Sequence, residues 1–236
     1  MAGDPSLEKT AEYLRILEDC GADIIELGVP FSDPLADGPV IQAAAERALK
    51  AGVNLRKVIA FVGEMRKETV IPIVLMTYYN PVFKYGEEAF LRDAKEAGVD
   101  GVIIPDMPVE ESGSIRPLAR RYGMDVMLLA APTSGEERLR KVARASAGFI
   151  YYVSITGITG ARLVLSEKVR ESIESLRRSG RKPVAVGFGV ATPEEASEVA
   201  KIADGVIVGS AIVKKAMEEN TEEFRNYLKA LREAIK

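Results

Sequence analysis

The chain has 236 residues, enough for one β/α barrel or two small domains, and 47% of them are apolar, far too many for a disordered chain. Charged residues make up 28% with both signs interspersed and a net charge of -3, which offers no basic patch for nucleic acid. There is no histidine and a single cysteine, Cys20, so an intrachain disulfide, Ser-His and Cys-His nucleophile pairs and His-based metal sites are all excluded, and any proton transfer falls to carboxylates, Lys or Tyr.

In chain order, the first predicted helix spans 6–21, with Leu7, Tyr13, Leu14 and Leu17 at helical spacing, Ser6 as cap and Gly21 as stop. Strand-type runs follow at 22–29, 71–79, 101–107, 125–132, 149–155, 183–190 and 205–213. They are continuous Val/Ile/Leu-rich runs, the pattern of parallel strands covered on both faces. Between them lie helical segments at 41–52, 55–68, 87–98, 116–123, 135–148, 166–180, 192–203 and 221–236, many with a Ser or Thr cap, acids in the first turn and a terminal Gly. Cys20 closes an amphipathic segment and reads as a buried structural thiol. The motifs DCGADIIELG, EAGVDGVIIPD and KIADGVIVGS echo one another, each running from a helix end through Asp into a strand. Strict alternation without a linker or composition shift predicts a single domain, 1–236, of the α/β class: a (β/α)8 barrel in which seven strands are visible and the first is missing. No segment is apolar and long enough to span a bilayer and no signal peptide opens the chain, so a soluble cytoplasmic protein is expected.

Chemistry in such a fold sits at the carboxyl ends of the strands. The stretch IELGVPFSDPLADGPVIQ (25–42) places three acids, Glu26, Asp33 and Asp37, in an otherwise apolar, Pro/Gly-broken run. Glu26 falls near the end of a strand among Ile24, Ile25, Leu27 and Val29, where desolvation raises a carboxyl toward the range useful for acid/base work. Asp33 and Asp37 fall in the following loop, where turn capping is the competing reading. Three glycine-bearing turns, TGITGAR (156–162), VGFGVATPEE (186–195) and VGSAIVKK (208–215), follow late strands and suit an anion, and Gly209-Ser210 opens a helix-compatible segment. Neither GxxxxGK[ST] nor GxGxxG is present. Tyr78, Asn80, Asp106 and Tyr151 stand at strand ends, with core packing or loop capping as the alternative.

IELGVPFSDPLADGPVIQAAAERALKAGV, LMTYYNPV, GVIIPDMPVEE, YYVSITGITGA, VAVGFGV and ADGVIVGSAIVK together resemble the tryptophan synthase α-subunit family, in order from Ala2 to about Lys214. The resemblance implies a (β/α)8 barrel that cleaves indole-3-glycerol phosphate to indole and glyceraldehyde 3-phosphate. It implies no cofactor in this subunit, with pyridoxal phosphate in a β-subunit that receives the indole within an α2β2 complex. Carried over by motif, Glu26 is the general acid/base and Asp37 the partner of the indole N–H. Tyr78, Tyr151, Thr159, Gly160, Phe188, Gly189, Gly209 and Ser210 bind substrate, and Pro30, Asp33 and Asn80 face the β-subunit. Two departures accompany the match: Met1-Ala2-Gly3-Asp4-Pro5 stands where the family has a strand ending in TAGDP, and Ile155 stands where many members carry Arg. A missing strand would leave two open edges. A stand-alone lyase and a truncated, weakly active allosteric partner of the β-subunit are the alternatives.

Overall fold

The computed structural model describes residues 1–153, 165–180, 182–187, 189–218 and 220–236. The chain divides into two compact units, Met1–Val126 and Met127–Lys236.

In the first unit the order is α1 (Leu7–Asp19), β1 (Ile25–Gly28), α2 (Pro39–Lys50), α3 (Leu55–Met65), β2 (Ile73–Met76), α4 (Tyr79–Tyr85), α5 (Glu87–Glu96), β3 (Gly101–Ile103), α6 (Ile115–Tyr122) and β4 (Asp125–Met127), whose last residue crosses the boundary. The four strands form one sheet in the order β1-β2-β3-β4, with β1, β2 and β3 pairing in parallel. Local chemistry sets the helix ends. The Ser6 side chain accepts from Lys9 N–H at 3.2 Å and that of Asn54 from Lys57 N–H at 3.1 Å. Gly123 closes α6 in the left-handed region at φ 67°. Cys20 is buried at the end of α1, as expected of a structural thiol. Phe90, Leu91 and Ala94 of α5 are fully buried, with Val58 and Val62 of α3 and Ile115 of α6; each large side chain contributes roughly 1.5–3 kcal/mol.

The second unit runs β5 (Leu129–Ala130), α7 (Glu136–Ala145), β6 (Ile150–Val153), α8 (Glu167–Gly180), β7 (Val184–Gly187), α9 (Pro193–Ala200), β8 (Gly205–Val206), α10 (Ser210–Glu218) and α11 (Thr221–Ala234). Its strands form a second parallel sheet, ordered β5-β6-β7-β8. Capping boxes start α9 (Thr192 with Glu195) and α11 (Asn220 with Glu223). Residues 154 and 155 at the end of the predicted run 149–155, and Phe188 in the run 183–190, lie outside the described residues.

All seven predicted strand runs contain a strand, and two differ instructively. The run 125–132 divides into β4 and β5 because the intervening Leu128 N–H donates to Ser146 Oγ at 3.1 Å. The run 71–79 ends at Met76, and Tyr79–Tyr85 forms α4, a helix the sequence reading did not predict. Its seven residues are too few to show a helical period, Pro81 is tolerated in a first turn, and Asp106 Oδ1 accepts the Tyr79 N–H at 2.9 Å. Beside β1, Ala2 N–H donates to Gly28 O at 2.8 Å.

The echoed Asp-Gly motifs acquire a physical meaning. Asp100, just before β3, accepts Ile73 N–H at 2.8 Å, the first amide of β2, and pairs with Arg66 at 2.5 Å. Arg66, just past α3, also reaches Gly98 O at 2.7 Å and Ile71 O at 2.6 Å. The same clamp recurs in the second unit. Asp204, just before β8, accepts Val184 N–H at 2.9 Å, the first amide of β7, and takes Arg177 of α8 in a bidentate pair at 2.7 and 3.1 Å. Each clamp binds two neighbouring strands at their starts to the helix preceding the first of them, a place where residues serve stability rather than chemistry. Asp100→Ala strands the Ile73 amide and takes the carboxylate from Arg66, which keeps Gly98 O and Ile71 O. Its expected cost is about 1–3 kcal/mol, a lowering of Tm by several degrees with KM unchanged, read by thermal unfolding and steady-state assay.

Candidate active site

Glu26 is the second residue of β1, in register with Val74 of β2, which pairs in turn with Gly101 of β3. The alternation of β1 buries Ile25 and Leu27 on one face and turns Glu26 and Gly28 to the other. The row next to Glu26 on that face is Gly28, Met76 and Ile103, so the acid stands on an apolar surface. Burial alone pushes its carboxyl up to about 8. Among the described residues no lysine or arginine pairs with it.

The loop after β1 holds the other two acids. Val29 N–H still donates to Met76 O at 2.8 Å, and buried Pro30 then breaks the strand. Asp33 is exposed and behaves as a turn acid, accepting Ser32 Oγ–H at 2.5 Å while Leu35 N–H closes on its carbonyl at 3.0 Å. Asp37 sits at the end of the loop, partly buried. Its N–H donates to Pro34 O at 3.1 Å, and Gln42 of α2 bonds its carbonyl at 2.8 Å. Burial raises the Asp37 carboxyl above the ordinary aspartate range, and hydrogen bonding from the Tyr78 hydroxyl pulls it back. Tyr78 is itself buried, packs its ring on Phe31 with centroids 5.3 Å apart, and accepts Ala36 N–H at 2.9 Å; burial, and then the charge of Asp37, raise its phenol. The structure thus brings Asp37, Tyr78 and Phe31 together. Behind the loop, α2 is pinned by Arg47, whose Nε and Nη2 hold buried Asp4 at 2.7 and 2.8 Å.

Asn80 is exposed in the first turn of α4. Two neighbours the sequence reading missed mark this surface more strongly: Leu35, 95% exposed, and Phe83 of α4, 66% exposed. Large apolar side chains left in water are informative where polar ones are not. Exposure is decided by packing, and no local pattern in the sequence announces it.

In the second unit Tyr151 lies on β6 between Leu129 and Ala185, buried, with its ring over Gly187, where an added Cβ would come 3.1 Å from the hydroxyl. Gly189 adopts φ 67°, and both it and Gly209 face open space where a side chain would project. Ser210 begins α10, whose first turn carries no acid, so its free N–H groups can receive an anion. Thr159, Gly160 and Phe188, and the Ile155 departure, lie outside the described residues. The described residues contain no cluster of His, Cys, Asp or Glu able to hold a metal ion.

The first unit thus holds a buried carboxyl of raised pKa on its sheet and a second acid in the loop that follows, and the second unit holds open glycine backbone after its later strands, the parallel β/α arrangement of a barrel enzyme class. A family model described as tryptophan synthase alpha chain matches residues 1–236. The tryptophan synthase alpha chain of Geotalea daltonii is 51% identical over 235 residues, covering 100% of this chain and 89% of that protein. That of Rippkaea orientalis is 55% identical over 223 residues, covering 94% and 84%. Among solved structures, the tryptophan synthase α2β2 complex of Pyrococcus furiosus superposes with a TM-score of 0.90 at 42% identity, over 98% of this chain and 95% of that one. Subunit alpha from Legionella pneumophila gives 0.91 at 37%, over 99% and 89%. The chain belongs to the tryptophan synthase alpha chain family. Its fold class is the (β/α)8 barrel, and its activity is that of a carbon–carbon lyase, cleaving indole-3-glycerol phosphate to indole and glyceraldehyde 3-phosphate in tryptophan biosynthesis.

Proposed function

We propose that Glu26 and Asp37 carry the lyase reaction of this chain as a protonated acid and an ionised carboxylate. Indole is a poor carbanion leaving group, so C3 must be protonated before the C3–C3′ bond breaks. Glu26, neutral below pH 8, donates that proton, giving a protonated indolenine with the positive charge at the ring nitrogen. As the bond breaks heterolytically, its electron pair returns to the indole ring and the 3′-hydroxyl proton passes to the Glu26 carboxylate, which leaves glyceraldehyde 3-phosphate and restores the acid. Asp37 accepts a hydrogen bond from the ring N–H and offsets the positive charge that develops at nitrogen, and the nitrogen keeps its proton in the indole that forms. The family resemblance assigns the phosphate to Gly160, Gly189, Gly209 and Ser210, the flank of the catalytic acid to Tyr151, the indole ring to Phe188 and a part in loop closure to Thr159. The observation that carries the reading is the carboxyl of Glu26, set on an apolar sheet face without a counter-ion among the described residues. The alpha chain family does not use pyridoxal phosphate in this step, and every proton transfer is assigned here to the chain's own carboxyls.

The decisive assay is indole release from indole-3-glycerol phosphate by the purified chain, alone and with added β-subunit. No release under either condition overturns the lyase reading. Full activity without stimulation favours a stand-alone lyase, and stimulation of the β reaction without lyase turnover favours a purely allosteric partner.

The partner surface is proposed to be the β1–α2 loop and α4, with Pro30, Asp33 and Asn80 joined by Leu35 and Phe83, in an α2β2 assembly like that of the Pyrococcus furiosus complex. Phe83→Glu is expected to weaken β-subunit binding at least about 10-fold by titration calorimetry, while the lyase rate of the isolated chain stays within about twofold. No described helix is long and apolar enough to cross a membrane, and the proposed location is the cytoplasm, where tryptophan is made.

A further inference from the structure

Position 78 is the N-cap of α4, with extended backbone at φ -75° and ψ 159°, yet its side chain makes no cap bond. Small polar residues normally hold such a place. A tyrosine is accommodated because Asp106, 27 residues on, accepts the Tyr79 N–H instead. The ring is thereby free to turn toward the β1–α2 loop, where it packs on Phe31 and its oxygen accepts the Ala36 N–H at 2.9 Å across 42 residues of sequence. Among the described residues the loop's other ties are its internal turn bonds, from Leu35 to Asp33 and from Asp37 to Pro34, and the Gln42 amide on the Asp37 carbonyl, and Leu35 and Ala36 are exposed.

We infer that Tyr78 is a positioning residue for the lyase reaction: its hydroxyl, held by the Ala36 N–H and turned to the Asp37 carboxyl, presents that carboxyl to the indole nitrogen. The inference rests on the reading of Asp37 as the ionised partner of the indole nitrogen and replaces the direct substrate contact that the family resemblance implies for Tyr78. The hydroxyl accepts the Ala36 N–H at 2.9 Å, which sets it one residue from Asp37 and leaves its own proton to be donated to that carboxylate. The charged group facing this pair from the neighbouring β3–α6 segment is Asp106, whose charge acts on Tyr78 and favours the phenol keeping its proton. A donor aimed at a carboxylate stabilises the ionised form that must receive the indole N–H.

The test is a double-mutant cycle of Tyr78→Phe and Asp37→Asn, with pH profiles of kcat and kcat/KM. Phenylalanine keeps the ring on Phe31, and thermal unfolding checks that the fold is retained. Tyr78→Phe is expected to lower kcat about 10-fold or more with KM within about twofold. It should also move the acid limb of the kcat/KM profile to higher pH and raise the Asp37 carboxyl pKa in the ligand-free protein, read by carbon NMR. In the Asp37→Asn background it should cost no more than about a further twofold. Losses that multiply in the double variant, or an Asp37 carboxyl whose pKa is unmoved in Tyr78→Phe, overturn the inference and leave the Asp37 reading standing. An Asp37→Asn enzyme of undiminished activity removes that reading and the inference together.

Discussion

Glu26→Gln is expected to lower kcat for indole release by about 10²–10⁴-fold and to make the protein more stable. The two effects share one cause. A glutamine has the size of the protonated acid and fills the same place on the sheet face, but it has no proton to donate to C3 and cannot take one from the 3′-hydroxyl. Substrate binding is anchored elsewhere, so KM should change little. Stability follows from linkage. The Glu26 carboxyl is raised from 4.5 to about 8 in the folded protein. Between these values the unfolded chain ionises and gains hydration while the folded chain holds the proton. Stability therefore falls as pH rises from about 4.5 to about 8 and levels off above. Glutamine removes that dependence, so the gain should be small at pH 5 and reach a few kcal/mol at pH 8, raising Tm by about 5 °C or more. Thermal unfolding of both proteins at pH 5 and pH 8 reads it directly. A variant of lower or equal Tm at pH 8 would mean that Glu26 is already ionised and solvated, and the acid role would go with it.

The pH profile of kcat/KM should be a bell whose two sides belong to different residues. The reaction needs Glu26 protonated and Asp37 ionised. On the alkaline side activity falls as Glu26 loses its proton near pH 8. On the acid side it falls as Asp37 gains one, above the ordinary aspartate value because burial outweighs the help from Tyr78. Asp37→Asn should cost about 10²-fold or more in kcat/KM, since a neutral amide cannot offset the positive charge at the ring nitrogen, and its residual activity should lack the acid limb. Glu26→Gln should lack the alkaline one. An alkaline limb surviving in Glu26→Gln would assign that ionisation elsewhere and discard the acid role.

How much of this was legible beforehand varies with the range of the interaction concerned. The capping of α1 by Ser6 and the continuous apolar runs of the strands depend on residues a few positions apart, and both stand as read. The split of 125–132 depends on Ser146, 18 residues beyond Leu128, and α4 depends on Asp106. Leu35 and Phe83 look in sequence like any other apolar residues, and only packing leaves them uncovered.

The same division holds at the site. By itself the sequence determined the β/α alternation, the absence of histidine chemistry and the placing of an acid on a strand among apolar neighbours, because side-chain period and turn residues are local properties of the chain. Only the tertiary structure decided that Glu26 has no described cation beside it and keeps its proton to about pH 8. It alone joined Tyr78 to Ala36 and Asp37, and turned two Asp-Gly echoes into clamps at strand starts. Proton affinity and positioning depend on which distant groups crowd a side chain and which withdraw water from it, and those neighbours exist only once the strands have paired.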